Sequence, residues 1–341
     1  MTAVAAPHGA GAATGERRLG LSTALLGAFV VTMLRPASWA VGLLGFLAGG
    51  GILLVAWPIV VLPTPTGLQN LLAEPIVSLA FGSVSESLLL AIAAGIAAAA
   101  GLVAVCLLVG AWAERQGIGL VLEAAPDDAL DRPPSDLAGA PGAGRIALLR
   151  LLSLAPLAVV AAVAWQAVYD AVYHELVLPG DLAVPLPVRV VGEVPGQVVG
   201  IGLAWLLSDT AASVGVRRLV LERRPVLVAW LLGWSDLVRR PRRVLPTALF
   251  GVAVVALPVA PALLAAGIGW SRLREIMVAG SGIPLTLGAT LVWVAIWMGG
   301  LVLAGVASAV RAAAWTLEIP VAGSAGAATG SPDALAGASP G

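Results

Sequence analysis

Residues Ser87–Ala113 read SLLLAIAAGIAAAAGLVAVCLLVGAWA and contain no aspartate, glutamate, lysine, arginine or histidine. A helix rises about 1.5 Å per residue, so roughly 20 apolar residues cross the ~30 Å hydrocarbon core of a bilayer. A soluble helix instead keeps one polar face for water. The stretch therefore predicts a helix that spans a membrane.

Five further stretches share this character and together predict the fold class. Four of them contain a charge-free run of roughly 20 residues, and the fifth is interrupted by Asp209 alone. We predict an all-α, polytopic membrane helical bundle over residues 20–318. Its six transmembrane helices are expected at about 38–62, 87–113, 147–170, 194–216, 244–270 and 283–310.

Composition agrees with this class. The chain is 59% hydrophobic and 11% charged, whereas ordinary soluble chains carry about 25% charged residues. The formal net charge is zero, so we predict no nucleic-acid partner, which would require a strong basic field. The single cysteine, Cys106, can form no intramolecular disulfide and is interpreted as a small buried hydrophobe.

The arginines predict the orientation of the bundle. All nineteen basic residues are arginines, and sixteen of them lie in the tails and in the connections after spans two and four. Arg189, Arg272 and Arg274 lie on the opposite side. Arginine-rich segments stay in the cytoplasm, so both termini are predicted to be cytoplasmic. Arginine without lysine, together with abundant alanine and glycine, indicates a GC-rich bacterial gene and hence the bacterial inner membrane.

Outside the spans, the sequence predicts disordered segments and short helices at the membrane surface. Residues 1–19 are rich in alanine and glycine, residues 123–144 combine proline, glycine and acidic residues, and residues 319–341 are rich in glycine, alanine, serine and proline. We predict that all three segments are disordered. Short amphipathic helices at the membrane surface are expected before spans one and five and in the outer loops, such as Leu68–Phe81. A cleavable signal around Leu21–Leu34 is the alternative to the first of them.

Asp209 is the sharpest candidate for a polar site inside the membrane. It lies in span four beside Ser208, Thr210 and Ser213, and a carboxylate within a span usually faces a bundle interior or water. One interpretation is a proton or cation site. The other is structural, with Asp209 in the cytoplasmic half of the span, where it reaches interfacial water or pairs with the arginines at positions 217 and 218.

The connection 217–243 is the most distinctive local feature. Its middle is apolar, and it carries eight arginines: Arg217, Arg218, Arg223, Arg224, Arg239, Arg240, Arg242 and Arg243. We predict an amphipathic helix on the inner leaflet, attracted to anionic lipids by about 1 kcal/mol per basic residue. Docking of a cytoplasmic partner to 217–243 is the alternative.

No catalytic, cofactor-binding or metal site is predicted. Asp170 and His174 share a helix face and would need Glu193 or Asp181 to complete a metal site, so a solvated helix end is favoured.

The pairs Gly45-xxx-Gly49 and Gly300-xxx-Ala304 predict close helix packing. The prolines within the apolar runs, such as Pro156, predict kinks.

The segment PVLVAWLLGWSDLVRRPRRVL, residues 225–245, follows an arginine-rich span end and leads directly into a new span. This arrangement resembles uncharacterised bacterial six-helix membrane families, including the membrane domain fused to some glycerophosphodiester phosphodiesterases. The resemblance covers residues 20–318 and implies a helical membrane domain. It carries over no catalytic residue, because the sequence given contains no phosphodiesterase domain.

The leading functional prediction is a non-enzymatic membrane protein that organises or accommodates lipid or a partner. It rests on the near absence of charge within the spans, which is unlike an ion-driven pump. The second is a transport permease subunit that works with a separate ATPase, with Asp209 lining the path and 217–243 as the coupling surface. A membrane-embedded lipid enzyme has the least support, because no catalytic polar cluster is evident.

Overall fold

The structure, a computed structural model, describes residues 21–56, 86–124, 140–178, 186–280 and 282–318. These residues form helices and no strand. In chain order the helices are α1 (Leu21–Leu34), α2 (Ala37–Phe46), α3 (Ile52–Ala56), α4 (Glu86–Ala124), α5 (Ala143–Ser153), α6 (Ala155–Val177), α7 (Leu186–Glu193), α8 (Pro195–Leu221), α9 (Val226–Arg239), α10 (Pro241–Val278) and α11 (Ile283–Glu318).

Six helical units are long and apolar enough to cross a membrane, so the predicted all-α membrane class and the six spans are confirmed. They run over Ala37–Ala56, Leu88–Ala124, Ala143–Val177, Pro195–Leu221, Pro241–Val278 and Ile283–Glu318. Several are longer than the charge-free runs. Hydropathy marks the thickness of the hydrocarbon core, whereas helical hydrogen bonding continues beyond it wherever neighbouring helices provide packing.

The predicted disordered loop 123–144 is wrong at both of its ends, because α4 extends to Ala124 and α5 begins at Ala143. The last turns of α4 are held by packing, since Ile118 and Val121 are buried. Residues 125–139 lie outside the described residues. So do the predicted disordered tails, 1–19 and 319–341, and the predicted surface helix Leu68–Phe81.

Spans one and three are each interrupted. In span one a π-helical turn, Leu47–Gly51, connects α2 to α3, and Gly50 adopts a φ of 101°. In span three the break falls at Leu154, just before Pro156, where a prolyl ring fits the first turn of a new helix. The kink predicted at Pro156 is therefore confirmed. Helix α10, by contrast, runs unbroken through its three internal prolines.

Short helices occur before spans one and five, as predicted. Helix α1 packs against the last turns of α11, where Ala28 shares a buried cluster with Ala313 and Ala314. Helix α9 packs against α8 so closely that a Cβ on Gly233 would lie 2.3 Å from the carbonyl oxygen of Ala211. The amphipathic character of α1 and α9 and their location at a membrane surface remain predictions.

Most of the buried core lies at one end of the bundle, which we call the arginine-rich end. It is the end where α4 finishes, α5 begins and α8 and α11 finish. Its buried side chains include Ile118, Ile146, Leu149, Val216 and Leu219. Farther along the spans, large apolar side chains such as those of Leu90, Val163 and Leu257 are exposed, as expected for surfaces that face lipid.

Candidate functional site

Asp209 lies in α8, and its side chain is 19% exposed. It accepts hydrogen bonds from Arg150 Nη1 at 3.0 Å and from Arg311 Nη2. The predicted pairing of Asp209 with the arginines at 217 and 218 is therefore wrong. Arg217 lies two turns farther along the same helix, about 12 Å away along its axis, while α5 and α11 bring their arginines directly to the carboxylate.

The polar neighbours predicted around Asp209 are all buried, and Ser213 alone among them lines the same cavity as Asp209. Ser208 is 1% exposed, and its hydroxyl has no hydrogen-bond partner among the described residues. Thr210 is also buried. The carbonyl oxygen of Ser213 accepts a hydrogen bond from Arg217 Nη1 at 3.0 Å. None of these three side chains is a hydrogen-bond partner of Asp209, whose carboxylate is paired with Arg150 and Arg311.

Asp209 belongs to a network of five alternating charges that we call the charge cluster: Arg217, Glu114, Arg150, Asp209 and Arg311. Arg150 donates to Glu114 through Nε at 3.0 Å and through Nη2 at 2.9 Å, a two-point contact. Arg217 Nη1 also donates to Glu114. The network thus joins α4, α5, α8 and α11 through charge-assisted hydrogen bonds, which are among the stronger kinds.

The charge cluster lies where three charge-free runs meet their first charge. Glu114 directly follows the run 87–113, Arg150 directly precedes 151–169, and Arg311 directly follows 283–310. The sequence did not predict this site, because Arg150 and Arg311 were counted among the arginines of the connections and tails and Glu114 was not singled out. The available signal was that each is the first ionisable residue beyond a span, which places all three at a similar depth.

Burial makes the balance of charge in the cluster important. Arg217 is 2% exposed and Glu114 is 9% exposed, and removing one partner from a buried ion pair costs about 3–5 kcal/mol. Three guanidinium groups face two carboxylates, so the cluster has an excess of one positive charge. The expectation that the spans hold almost no buried charge is wrong at the arginine-rich end.

A cavity of about 480 Å³ opens beside the charge cluster, between α2, α4, α8 and α11. All five residues of the cluster are among its lining. The rest of its wall is mainly apolar and small, with Val41, Leu54, Cys106 and several glycines. The volume falls within the roughly 300–1,000 Å³ typical of small-molecule sites. The lining also includes Arg35, which pairs with Glu123 at 2.9 Å. The cavity is therefore amphipathic, with charged groups on one part of its wall and mainly apolar side chains on the remainder.

The predicted packing pair Gly45-xxx-Gly49 forms part of this wall. A Cβ on Gly45 would lie 3.9 Å from that of Ala113, and one on Gly49 would meet nothing within 4 Å. The close-packing prediction is therefore wrong for Gly49. It is confirmed for Gly300, where a Cβ would lie 3.1 Å from the Cβ of Ala262 on α10.

The eight arginines of 217–243 do not form one uniform surface. Arg217 is in the charge cluster, Arg218 Nη2 donates to Asp236 at 2.9 Å, and Arg243 lies 3.6 Å from Glu318. The exposed members are Arg223, Arg224, Arg239, Arg240 and Arg242. Five arginines thus remain at the surface, where contact with lipid or a cytoplasmic partner stays a prediction.

At the opposite end of the bundle, His174, Glu175 and Glu193 offer ligand atoms within 4.8 Å of one another. His174 Nδ1 lies 3.3 Å from Glu193, and Arg189 donates to Glu175 at 2.5 Å. The guanidinium of Arg189 occupies the carboxylate that a metal would need. Asp170 instead accepts a hydrogen bond from Gln166, and Asp181 lies outside the described residues.

Comparison of the chain with protein-family models, with curated proteins and with solved structures gives no match. The function is therefore argued from the cavity and the charges around it. The resemblance of residues 20–318 to bacterial six-helix membrane families remains a prediction.

Proposed function

We propose that this chain is a non-enzymatic protein of the bacterial inner membrane that accommodates a lipid in the cavity beside its charge cluster. The amphipathic lining of that cavity is the observation that carries the proposal. A lipid presents a polar headgroup and an apolar chain, and the cavity offers a charged end and an apolar wall in the same order.

The distribution of arginines supports an orientation with both termini in the cytoplasm. In that orientation the charged end of the cavity would lie near the inner leaflet. The test is to introduce single cysteines at Arg18 and Arg272 in a Cys106→Ala background and to label intact cells with a membrane-impermeant maleimide. Labelling at Arg272→Cys alone is expected, and labelling at Arg18→Cys would overturn the orientation.

A substitution that fills the cavity tests the proposed function. Gly49→Trp places an indole against the cavity without a Cβ clash. Gly101→Trp is the matched control, because its Cβ also meets nothing within 4 Å and it lies nine residues before Gly110, half a turn away from the cavity wall. Both variants would be purified in mild detergent, and retained lipid would be measured by native mass spectrometry.

Wild type and Gly101→Trp are expected to retain lipid in equal amounts, and Gly49→Trp is expected to lose it. Equal retention by all three proteins would contradict the proposal. Turnover of the retained lipid by purified protein would contradict its non-enzymatic part.

A transport permease that works with a separate ATPase is the second candidate, favoured by the presence of Asp209 in the cavity lining. Reconstitution into vesicles distinguishes the two candidates. The proposed function predicts that lipid binds without net movement of solute or lipid across the vesicle membrane. Movement that is lost in Asp209→Asn, in a variant that still folds, would favour the permease.

A further inference from the structure

We infer that the cavity selects an anionic amphiphile, with a phosphate or carboxylate headgroup held by Arg150 and Arg311 and an apolar chain along the glycine-lined wall. This inference rests on the proposed function, because it names the chemical class of the lipid. It adds that the headgroup must carry negative charge. A neutral or zwitterionic lipid of the same length should bind less tightly.

The first reason is the balance of charge. The cluster holds three arginines and two carboxylates at the arginine-rich end of the bundle, next to the apolar parts of the spans. Uncompensated charge near hydrocarbon is costly and is usually neutralised by a partner. One negative headgroup would neutralise the excess charge.

The second reason is the set of free donors. Among the described residues the guanidinium of Arg311 hydrogen-bonds to Asp209 alone, although a guanidinium has five N–H groups. Its side chain is 25% exposed, and that of Arg150 is 26% exposed. Both residues line the cavity. Their remaining donors have the planar geometry that suits phosphate or carboxylate oxygens.

Two deeper donors point to the same place. Trp315 and Arg217 line the cavity and are each 2% exposed. Trp315 Nε1 and Arg217 Nε are buried without an acceptor among the described residues. Buried N–H groups normally have a hydrogen-bond acceptor. A phosphate or carboxylate headgroup at this end of the cavity would supply acceptor oxygens for these two N–H groups.

The remainder of the cavity argues for a chain attached to the headgroup. Away from the charge cluster the wall is formed by residues such as Val41, Phe46, Leu54 and Leu107. A free hydrated anion would gain nothing from these apolar contacts, whereas an acyl chain would bury against them. The ligand class is therefore an amphiphile and not a small inorganic anion.

The experiment measures binding to the full-length protein in detergent, by thermal unfolding and native mass spectrometry. The probes are phosphatidylglycerol, phosphatidylcholine with the same chains, oleate and inorganic phosphate. Wild type is compared with Arg311→Gln and with Arg240→Gln. Arg240 is the matched control, because it is an exposed arginine outside the cavity lining and reports any general surface attraction to anionic lipid.

Phosphatidylglycerol and oleate are expected to stabilise wild type more than phosphatidylcholine does, and inorganic phosphate is expected to have no effect. Arg311→Gln should lower the preference for phosphatidylglycerol about tenfold, the change that about 1.4 kcal/mol produces. Arg240→Gln should leave the preference unchanged. If Arg311→Gln does not fold, Arg311→Lys replaces it and should show a smaller reduction, because lysine lacks the planar fork.

Equal binding of the two phospholipids by wild type would overturn the anionic headgroup and leave the proposed function standing. Loss of preference in Arg240→Gln but not in Arg311→Gln would move the selectivity to the protein surface and overturn the inference. Full stabilisation by inorganic phosphate would overturn the requirement for an apolar chain. If none of the lipids binds, the proposed function itself fails.

Discussion

At the scale of single residues, Glu114 is the carboxylate of the charge cluster that the sequence did not reveal. Its carboxylate accepts hydrogen bonds from Arg150 and Arg217 on two different helices. The sequence identified Asp209 because it alone interrupts a span. It did not identify Glu114, because inward or outward orientation at a span end depends on how each helix is rotated by its packing. Local hydropathy does not encode that rotation.

The excess of arginine in the cluster predicts an asymmetry between substitutions. Glu114→Gln would leave three arginines, with Arg217 fully buried among them, facing Asp209 alone. It should lower the free energy of unfolding by about 3–5 kcal/mol. Arg311→Gln would leave two charges of each sign and should cost less. Thermal unfolding followed by tryptophan fluorescence measures both, with the exposed Glu275→Gln as control. A larger loss in Arg311→Gln would contradict this account of the cluster.

Gly251 determines the path of the Arg311 side chain. A Cβ at this position would lie 3.0 Å from Arg311 Cγ and 3.3 Å from its Nε. Gly251→Val should therefore displace the guanidinium from Asp209 and reduce both thermal stability and the preference for anionic lipid. Gly267→Val in the same helix meets nothing within 4 Å of its Cβ and should leave both unchanged. Unchanged lipid preference in Gly251→Val would show that the position of the Arg311 side chain beside Gly251 is not required for selection of anionic lipid.

At the scale of helices, the closest contacts between spans occur at glycines. The sequence singled out Gly45 and Gly49 by their spacing, yet these residues line the cavity. The close crossing of α2 and α11 occurs instead at Gly42 and Gly305. Spacing alone cannot separate the two cases, because four-residue spacing places glycines on one face without saying what lies opposite.

The crossing of α2 and α11 predicts the effect of a single methyl group. In Gly42→Ala the new Cβ would lie 2.3 Å from the carbonyl oxygen of Gly305, so the helices must separate. Overpacking of this kind costs about 1–3 kcal/mol, measured as a fall in the midpoint of thermal unfolding. Gly95→Ala has open space and should be neutral or slightly stabilising, because alanine favours helix. Equal midpoints for the two variants would place the crossing elsewhere.

At the scale of the whole molecule, the six spans and their order were predictable, whereas the distribution of packing was not. A helix that is surrounded by lipid needs a long apolar run, so the number of spans follows from the hydropathy of the sequence. The concentration of buried residues at the arginine-rich end depends on long-range contacts, such as those that join Glu114 to Arg150 and Arg217. The cavity exists because four spans meet at that end around small residues.

The half-buried thiol of Cys106 lies on the cavity wall, and it is the single cysteine of the chain. The native protein therefore contains its own chemical reporter of occupancy, with no engineered label required. Alkylation by N-ethylmaleimide should slow when the cavity is filled and quicken after the occupant is stripped by detergent. A thiol introduced at Gly101 in a Cys106→Ala background should react at one rate in both conditions. Such footprinting would compare the occupied and the stripped cavity in one native sequence.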